Sequence, residues 1–230
     1  MELTDSLKLA NLQTVLFDFD YTLADSSPAV IACANSALQA LGLPPAEPDE
    51  IRRTIGLSLA ETFVRLAGSR VPADRFAAAS STFDRHFIQE ADAVMADRTV
   101  VFPGVAAAVR ALRRRGIALG VVSSKFRYRI EQVLEREGLR AEFDVIVGRE
   151  DVIASKPDPE GLFTAMSSLG SVPPTTCYVG DSVTDAETAR RADVPFVAAL
   201  SGVTPQAAFD AYACRAVIAS IAELPDAIAD

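Results

Sequence analysis

The sequence predicts an α/β fold: a doubly wound parallel sheet flanked by helices and interrupted once by an all-helical domain. Three observations carry that prediction. Short apolar runs rich in β-formers alternate with amphipathic stretches from about residue 100 onward, the pattern of strand–helix–strand units with right-handed crossovers. The run 14–17 is of the same kind, but residues 26–100 behind it are patterned as helix, far more chain than a simple crossover needs. The candidate strands also end in acidic and hydroxyl residues. Residues 1–25 with 101–230 therefore read as the core, and 26–100 as an inserted helical cap.

Residues 1–13 read as a loosely packed lead-in. Thr14–Phe17 is short, apolar and bounded, as expected of a strand buried in a parallel sheet, and it runs into Asp18, Phe19, Asp20, Tyr21 and Thr22. Residues 27–41 show helical spacing and stop at Gly42, a C-terminal cap. A turn-rich connection, LPPAEPDE, leads to helical patterns over 48–54, 58–68 and 73–93. The core resumes at Val101-Phe102-Pro103-Gly104. A helix over 104–115 ends in Arg113, Arg114 and Arg115, cations matched to the helix dipole, and then Gly116. A second strand, 117–122, ends at Ser123-Ser124 and feeds a helix over 126–137. A third, 143–147, leads to a loop holding Lys156 and a helix over 159–169. A fourth, 176–179, ends in Gly180-Asp181-Ser182-Val183-Thr184-Asp185, with a short helix over 185–191. Residues 195–199 form a fifth strand, 215–219 a candidate sixth, and 221–229 a closing helix.

Half of the 230 residues are hydrophobic, enough for a sizeable core with an insertion. No apolar run reaches the roughly 18 residues of a membrane helix. The stretch MELTDSLKLANLQ lacks the basic-then-apolar order of a secretory leader. Cys33, Cys177 and Cys214 are far apart and form no CxxC, which argues against a disulfide framework or a zinc site. A cytoplasmic protein is expected. The net charge of −9 argues against nucleic acid or an anionic membrane as partner. It also means that an anionic substrate must be held by local cations. Lysine occurs only at positions 8, 125 and 156, so a lysine in a strand-end loop is notable.

Two carboxylates two positions apart at the carboxyl end of a buried strand lie where open α/β sheets bind ligands. They are costly there unless a metal or a cation meets them. Four such stretches follow in order: Asp18/Asp20, Ser123, Lys156 and Asp181/Asp185. Each alone has an ordinary reading. A DxD arises by chance, a serine often follows a strand, Lys-Pro starts a turn, and Asp181 or Ser182 can cap a helix. Together, at the ends of the first, second and fourth strands and in the loop after the third, they converge on one crevice.

On these motifs, and on the helical insertion after the first, the chain resembles the haloacid dehalogenase (HAD) superfamily of hydrolases. It is most similar to the phosphoglycolate-phosphatase-like branch, over about residues 14–225. The resemblance implies a Rossmann-like core, a specificity-setting cap, and a Mg²⁺-dependent phosphatase acting on a small phosphorylated metabolite, with 2-phosphoglycolate first among candidates. Phosphoryl transfer needs an in-line nucleophile, an acid for the leaving oxygen and positive charge around the equatorial oxygens. By resemblance Asp18 is the nucleophile and forms an aspartyl-phosphate. Asp20 protonates the leaving alcohol and then takes a proton from water. The Mg²⁺ ligands are the Asp18 carboxylate, the Asp20 backbone carbonyl and Asp181, with Asp185 bound directly or through water. Ser123 and Ser124 hold phosphoryl oxygens, Lys156 lies between nucleophile and phosphate, and Thr22 orients Asp20. With Asp20 protonated, the remaining carboxylates repel a phosphate dianion unless Mg²⁺ and Lys156 balance them.

In the cap, Arg52, Arg53 and Gly56 are candidates for substrate specificity, although the arginines read equally well as exposed helix residues. Lys125, with Arg127 and Arg129, is a candidate for the far end of the substrate. Tyr21 departs from the family's usual Gly, and Ser124 from the Asn of close relatives. Dehalogenases of this fold lack the second acid, and phosphonate-cleaving members use a cap lysine that this cap does not have. A β-phosphoglucomutase-like mutase, a pyrophosphatase, another small-molecule phosphatase and an idle binding protein remain alternatives. A monomer or homodimer is expected.

Overall fold

The computed structural model describes residues 12–228. The lead-in expected over 1–11, including Lys8, and the last residue of the expected closing helix lie outside the described residues. The described residues form two compact units, one of residues 12–24 with 101–228, the other Asp25–Val100.

In chain order, β1 (Thr14–Phe17) and the two-residue β2 (Ala24–Asp25) precede four helices. These are α1 (Ser27–Ala40), α2 (Pro48–Arg52), α3 (Leu59–Ala67) and α4 (Phe76–Arg98). Then come β3 (Val100–Val101), α5 (Val105–Arg114), β4 (Ala118–Val122), α6 (Arg127–Arg136), β5 (Val145–Val147) and α7 (Glu160–Leu169). The chain continues through β6 (Thr176–Gly180), α8 (Val183–Ala192), β7 (Phe196–Ala199), β8 (Cys214–Ile218) and α9 (Leu224–Ala227).

Six strands form one parallel sheet in the order β5-β4-β1-β6-β7-β8, and β2 pairs with β3 separately. Strand order reverses at β1, which has β4 on one side and β6 on the other. Such a reversal opens a crevice at the carboxyl ends of the strands. Register aligns the ends: Phe17 lies opposite both Val121 and Val179. Asp18, the next residue, donates its N–H to the Val179 carbonyl at 2.9 Å.

All four residues of β1 are buried, because alternate side chains feed two cores. Val15 and Phe17 pack with Val109, Leu112, Ile130 and Val133 on the α5/α6 face. Leu16 and Tyr178 pack with Leu162, Met166 and Ala189 on the α7/α8 face. A Cβ on Gly120 would meet Val145 Cγ1 at 2.6 Å and Leu16 Cδ2 at 2.8 Å, so a side chain there would displace its neighbours. The helical unit has its own core, with Phe63 and Phe83 ring centroids 5.5 Å apart. Its α3 opens on a capping box between Ser58 and Glu61.

Several boundaries differ from the expected ones for local reasons. α8 begins at Val183, because Ser182 rather than a later residue is the N-cap. β5 begins at Val145, since Arg140–Glu142 is a 3₁₀ turn and the Asp144 carboxylate bonds the Leu119 N–H instead of extending the strand. The expected closing helix is a 3₁₀ turn, Ile221–Glu223, followed by α9.

Candidate active site

Residues 18–24 fold into a tight loop. The Phe19 carbonyl accepts from the N–H groups of Leu23 (2.9 Å) and Ala24 (3.1 Å), and Tyr21 N–H donates to the Ala24 carbonyl at 2.7 Å. Tyr21 sits at φ 61°, a left-handed conformation that costs a non-glycine residue about 1–2 kcal/mol. That is a reason for glycine at this position, and here the loop holds a buried tyrosine in it.

Lys156 is the hub beneath this loop. Its Nζ lies 2.9 Å from Asp18 Oδ1, 2.6 Å from Asp185 Oδ1 and 3.2 Å from the Tyr178 hydroxyl. That hydroxyl is itself 3.0 Å from both the Val122 carbonyl and Asp185 Oδ1, and its single proton serves one of them at a time. The other Asp185 oxygen accepts from the Ser182 N–H (3.1 Å) and hydroxyl (2.5 Å), closing a capping box on α8. A Cβ on Gly180 would fall 2.5 Å from the Asp185 carboxyl carbon, so glycine is what lets this carboxylate reach the sheet.

Burial governs the electrostatics. It pushes the Asp18 carboxyl up to about 6, against the pull of Lys156 and with further help from Asp185. Burial also pushes Asp181 well above the usual carboxylate range, reinforced by Asp185 and Asp18. For Lys156 burial works against the charge. The carboxylates of Asp18 and Asp185 outweigh it and hold the ammonium well above the usual lysine range. Burial, then Asp185, raises the Tyr178 phenol so that it stays neutral.

The Thr22 hydroxyl donates to Asp181 Oδ1 at 3.3 Å, whereas the sequence reading sets it to orient Asp20. Carboxylate oxygens of Asp18, Asp181 and Asp185 lie within 4.8 Å of one another. Asp18 Oδ1 is buried without a hydrogen-bond donor aimed at it, although Lys156 is within ion-pair distance. A buried oxygen so placed, in an all-oxygen donor set, fits a hard divalent cation.

Asp20 and Lys125 form a second pair. Lys125 Nζ lies 2.8 Å from Asp20 Oδ1 and 3.2 Å from Oδ2, and 5.8 Å from the Phe19 ring centroid. Lys125 is thus buried against the first loop, whereas the sequence reading sets it toward the far end of a substrate. Ser123 is buried and accepts the Lys125 N–H at 3.4 Å. Ser123 and Ser124 line a pocket with Gly148, Ser155, Lys156 and Asp158. Arg127 pairs with Asp151 at 3.0 Å, and the buried Arg129 guanidinium lies over Phe126 and Tyr128. In the helical unit, Arg52 pairs with Asp49 at 2.6 Å, Arg53 follows as the α2 C-cap, and Gly56 has φ 92°. Tyr178 and Gly202 are missed by the sequence reading. A buried strand tyrosine and a loop glycine carry no spacing signal of their own.

The sequence model of the haloacid dehalogenase-like hydrolases matches residues 15–199. A phosphoglycolate phosphatase of Salmonella typhimurium is 33% identical over 210 residues, covering 83% of this chain and 82% of its own. One from Chromobacterium violaceum is 31% identical over 220 residues, covering 96% and 98%. A crystal structure from Bacteroides fragilis, described as haloacid dehalogenase-like, superposes with a TM-score of 0.85 at 39% identity, covering 93% of this chain and 99% of that one. No helix among the described residues is long and apolar enough to cross a membrane. With its motifs gathered around Lys156 on a parallel sheet, the chain belongs to the haloacid dehalogenase-like hydrolases.

Proposed function

We propose that this hydrolase is a Mg²⁺-dependent phosphatase that cleaves a small phosphorylated metabolite through an aspartyl-phosphate on Asp18. The observation that carries the reading is the buried group of Asp18, Asp181 and Asp185 around Lys156. When ionised, the carboxylates of Asp18, Asp181 and Asp185 exceed the Lys156 ammonium by two negative charges. One divalent cation offsets that surplus. The residues that would hold it are the Asp18 and Asp181 carboxylates and the Asp20 backbone carbonyl. Asp185, both of whose oxygens already accept protein donors, supports Lys156 and α8. When bound, Mg²⁺ supplies charge neutralisation to the phosphoryl oxygens.

The chain's own residues divide the reaction. An Asp18 oxygen attacks phosphorus while the bond to the leaving oxygen breaks, and Asp20 gives that oxygen its proton. A water then attacks the phosphorus, its proton passes to Asp20, and the Asp18–phosphorus bond breaks to release phosphate. Lys156 and Ser123 bear on the oxygens that spread charge in both steps. The names of the related phosphatases make 2-phosphoglycolate the substrate to test first.

The test is phosphate release from a panel of metabolite esters, with Mg²⁺ and with chelator, for wild type and Asp18→Asn. The expected result is Mg²⁺-dependent release that Asp18→Asn abolishes, with 2-phosphoglycolate highest in kcat/KM. No phosphate from any ester contradicts the reading, and isomerised sugar phosphate in its place would favour a mutase.

A further inference from the structure

We propose that Lys125 is a positioning residue for phosphoryl transfer, holding the Asp20 carboxyl where it meets the leaving oxygen. The inference rests on the reading of Asp20 as proton donor and deepens it. A proton donor works only within hydrogen-bond reach of its target, and an ångström of displacement can reduce rate by about 10². An aspartate on a loop turns freely about two side-chain bonds unless something holds both oxygens. Lys125 Nζ does so, at 2.8 Å and 3.2 Å. The lysine stem is itself confined: its side chain is 5% exposed, and the ammonium lies near the Phe19 ring between the two acids.

The backbone under Lys125 is fixed as well. Its N–H donates to Ser123 Oγ at 3.4 Å, and its carbonyl accepts from Arg149 N–H at 3.0 Å. Two residues on, Arg127 N–H donates to both Glu150 oxygens, at 3.0 and 2.9 Å. A Cβ on Gly148 would fall 2.3 Å from Arg127 N, so glycine permits the loop after β5 to close on the loop after β4. This clamp aims Lys125 at the first loop. The two lysines among the described residues thus divide the work, Lys156 on Asp18 and Lys125 on Asp20.

The rival assignment, direct contact of Lys125 with substrate, is separated by leaving-group dependence. kcat/KM reports the steps through the first phosphoryl transfer, where an alkyl ester needs a proton on its leaving oxygen and 4-nitrophenyl phosphate does not. Wild type, Lys125→Met, Lys125→Arg, Asp20→Asn and the Lys125→Met/Asp20→Asn double variant are compared on 2-phosphoglycolate, glycerol phosphate and 4-nitrophenyl phosphate, with circular dichroism as the check on fold. Lys125→Met is expected to lose about 10- to 100-fold on the alkyl esters and under about threefold on the aryl ester. Arg restores part of the loss, and Lys125→Met costs under about threefold once Asp20 is Asn. Equal losses on both ester classes, or a full Lys125→Met loss in the Asp20→Asn background, overturn the proposal while leaving Asp20 as the acid. Absence of a leaving-group split in Asp20→Asn itself overturns both.

Discussion

A Cβ placed on Gly202 would fall 1.9 Å from Asp181 Oδ2 and 2.7 Å from its carboxyl carbon. The loop after β7 therefore lies directly against the carboxylate that Thr22 supports from another side. Gly202 is not in the left-handed region, so alanine is free of backbone strain there and its effect falls on Asp181. Gly202→Ala is expected to leave the fold intact and raise the Mg²⁺ concentration for half-maximal activity by about 10- to 100-fold, the usual effect of disturbing groups that orient a metal ligand. An unchanged Mg²⁺ requirement, read from activity across a Mg²⁺ titration, contradicts this placement of Asp181. Asp18, Asp20, Asp181 and Asp185 are legible in the sequence because they follow strand ends, and Lys156 because lysine is scarce and this one lies in the loop after β5. Gly202 and Tyr178 are not, since their roles depend on which residues the fold brings against them. Lys125 lies between: its scarcity marks it, but its target does not follow from its neighbours in sequence.

At the level of elements, the buried strands were the readiest to place, because a bounded apolar run has few other uses. Thr14–Phe17 forms as expected, and the sixth strand is present as Cys214–Ile218. Boundaries went astray where side chains decide them. α4 runs through Arg98, beyond the pattern seen to residue 93, because Ala91 and Met95 continue its buried stripe between charged neighbours that blur it. The paired β2 and β3 are two residues each, too short for any period to show. The start of α8 shows how element and site are joined. Ser182 and Asp185 cap each other's backbone N–H groups, and the same Asp185 holds Lys156. One carboxylate thus serves both the helix cap and Lys156, each through a different oxygen.

Across the whole molecule, the buried carboxylates couple stability to pH and, on the proposed function, to a divalent cation as well. The Asp18 carboxyl is raised from 3.8 to about 6 in the folded chain. The stability this gives is fully present below the unfolded value and is lost as pH rises through about 6. A divalent cation offsets the charge that then appears, and protons compete with it at lower pH. Mg²⁺ is expected to raise Tm by about 5–10 °C at about pH 7.5, when present at roughly 100 times its Kd, and by little at about pH 5. An equal shift at both pH values, measured by thermal unfolding against a chelated control, contradicts the coupling. The central claim is that phosphate passes through Asp18 before it reaches water. Two in-line displacements retain configuration at phosphorus, and one inverts it. The most direct test is hydrolysis, in isotopically labelled water, of a thiophosphate ester made chiral at phosphorus with oxygen isotopes. Retention is the expected result, and inversion would contradict the account.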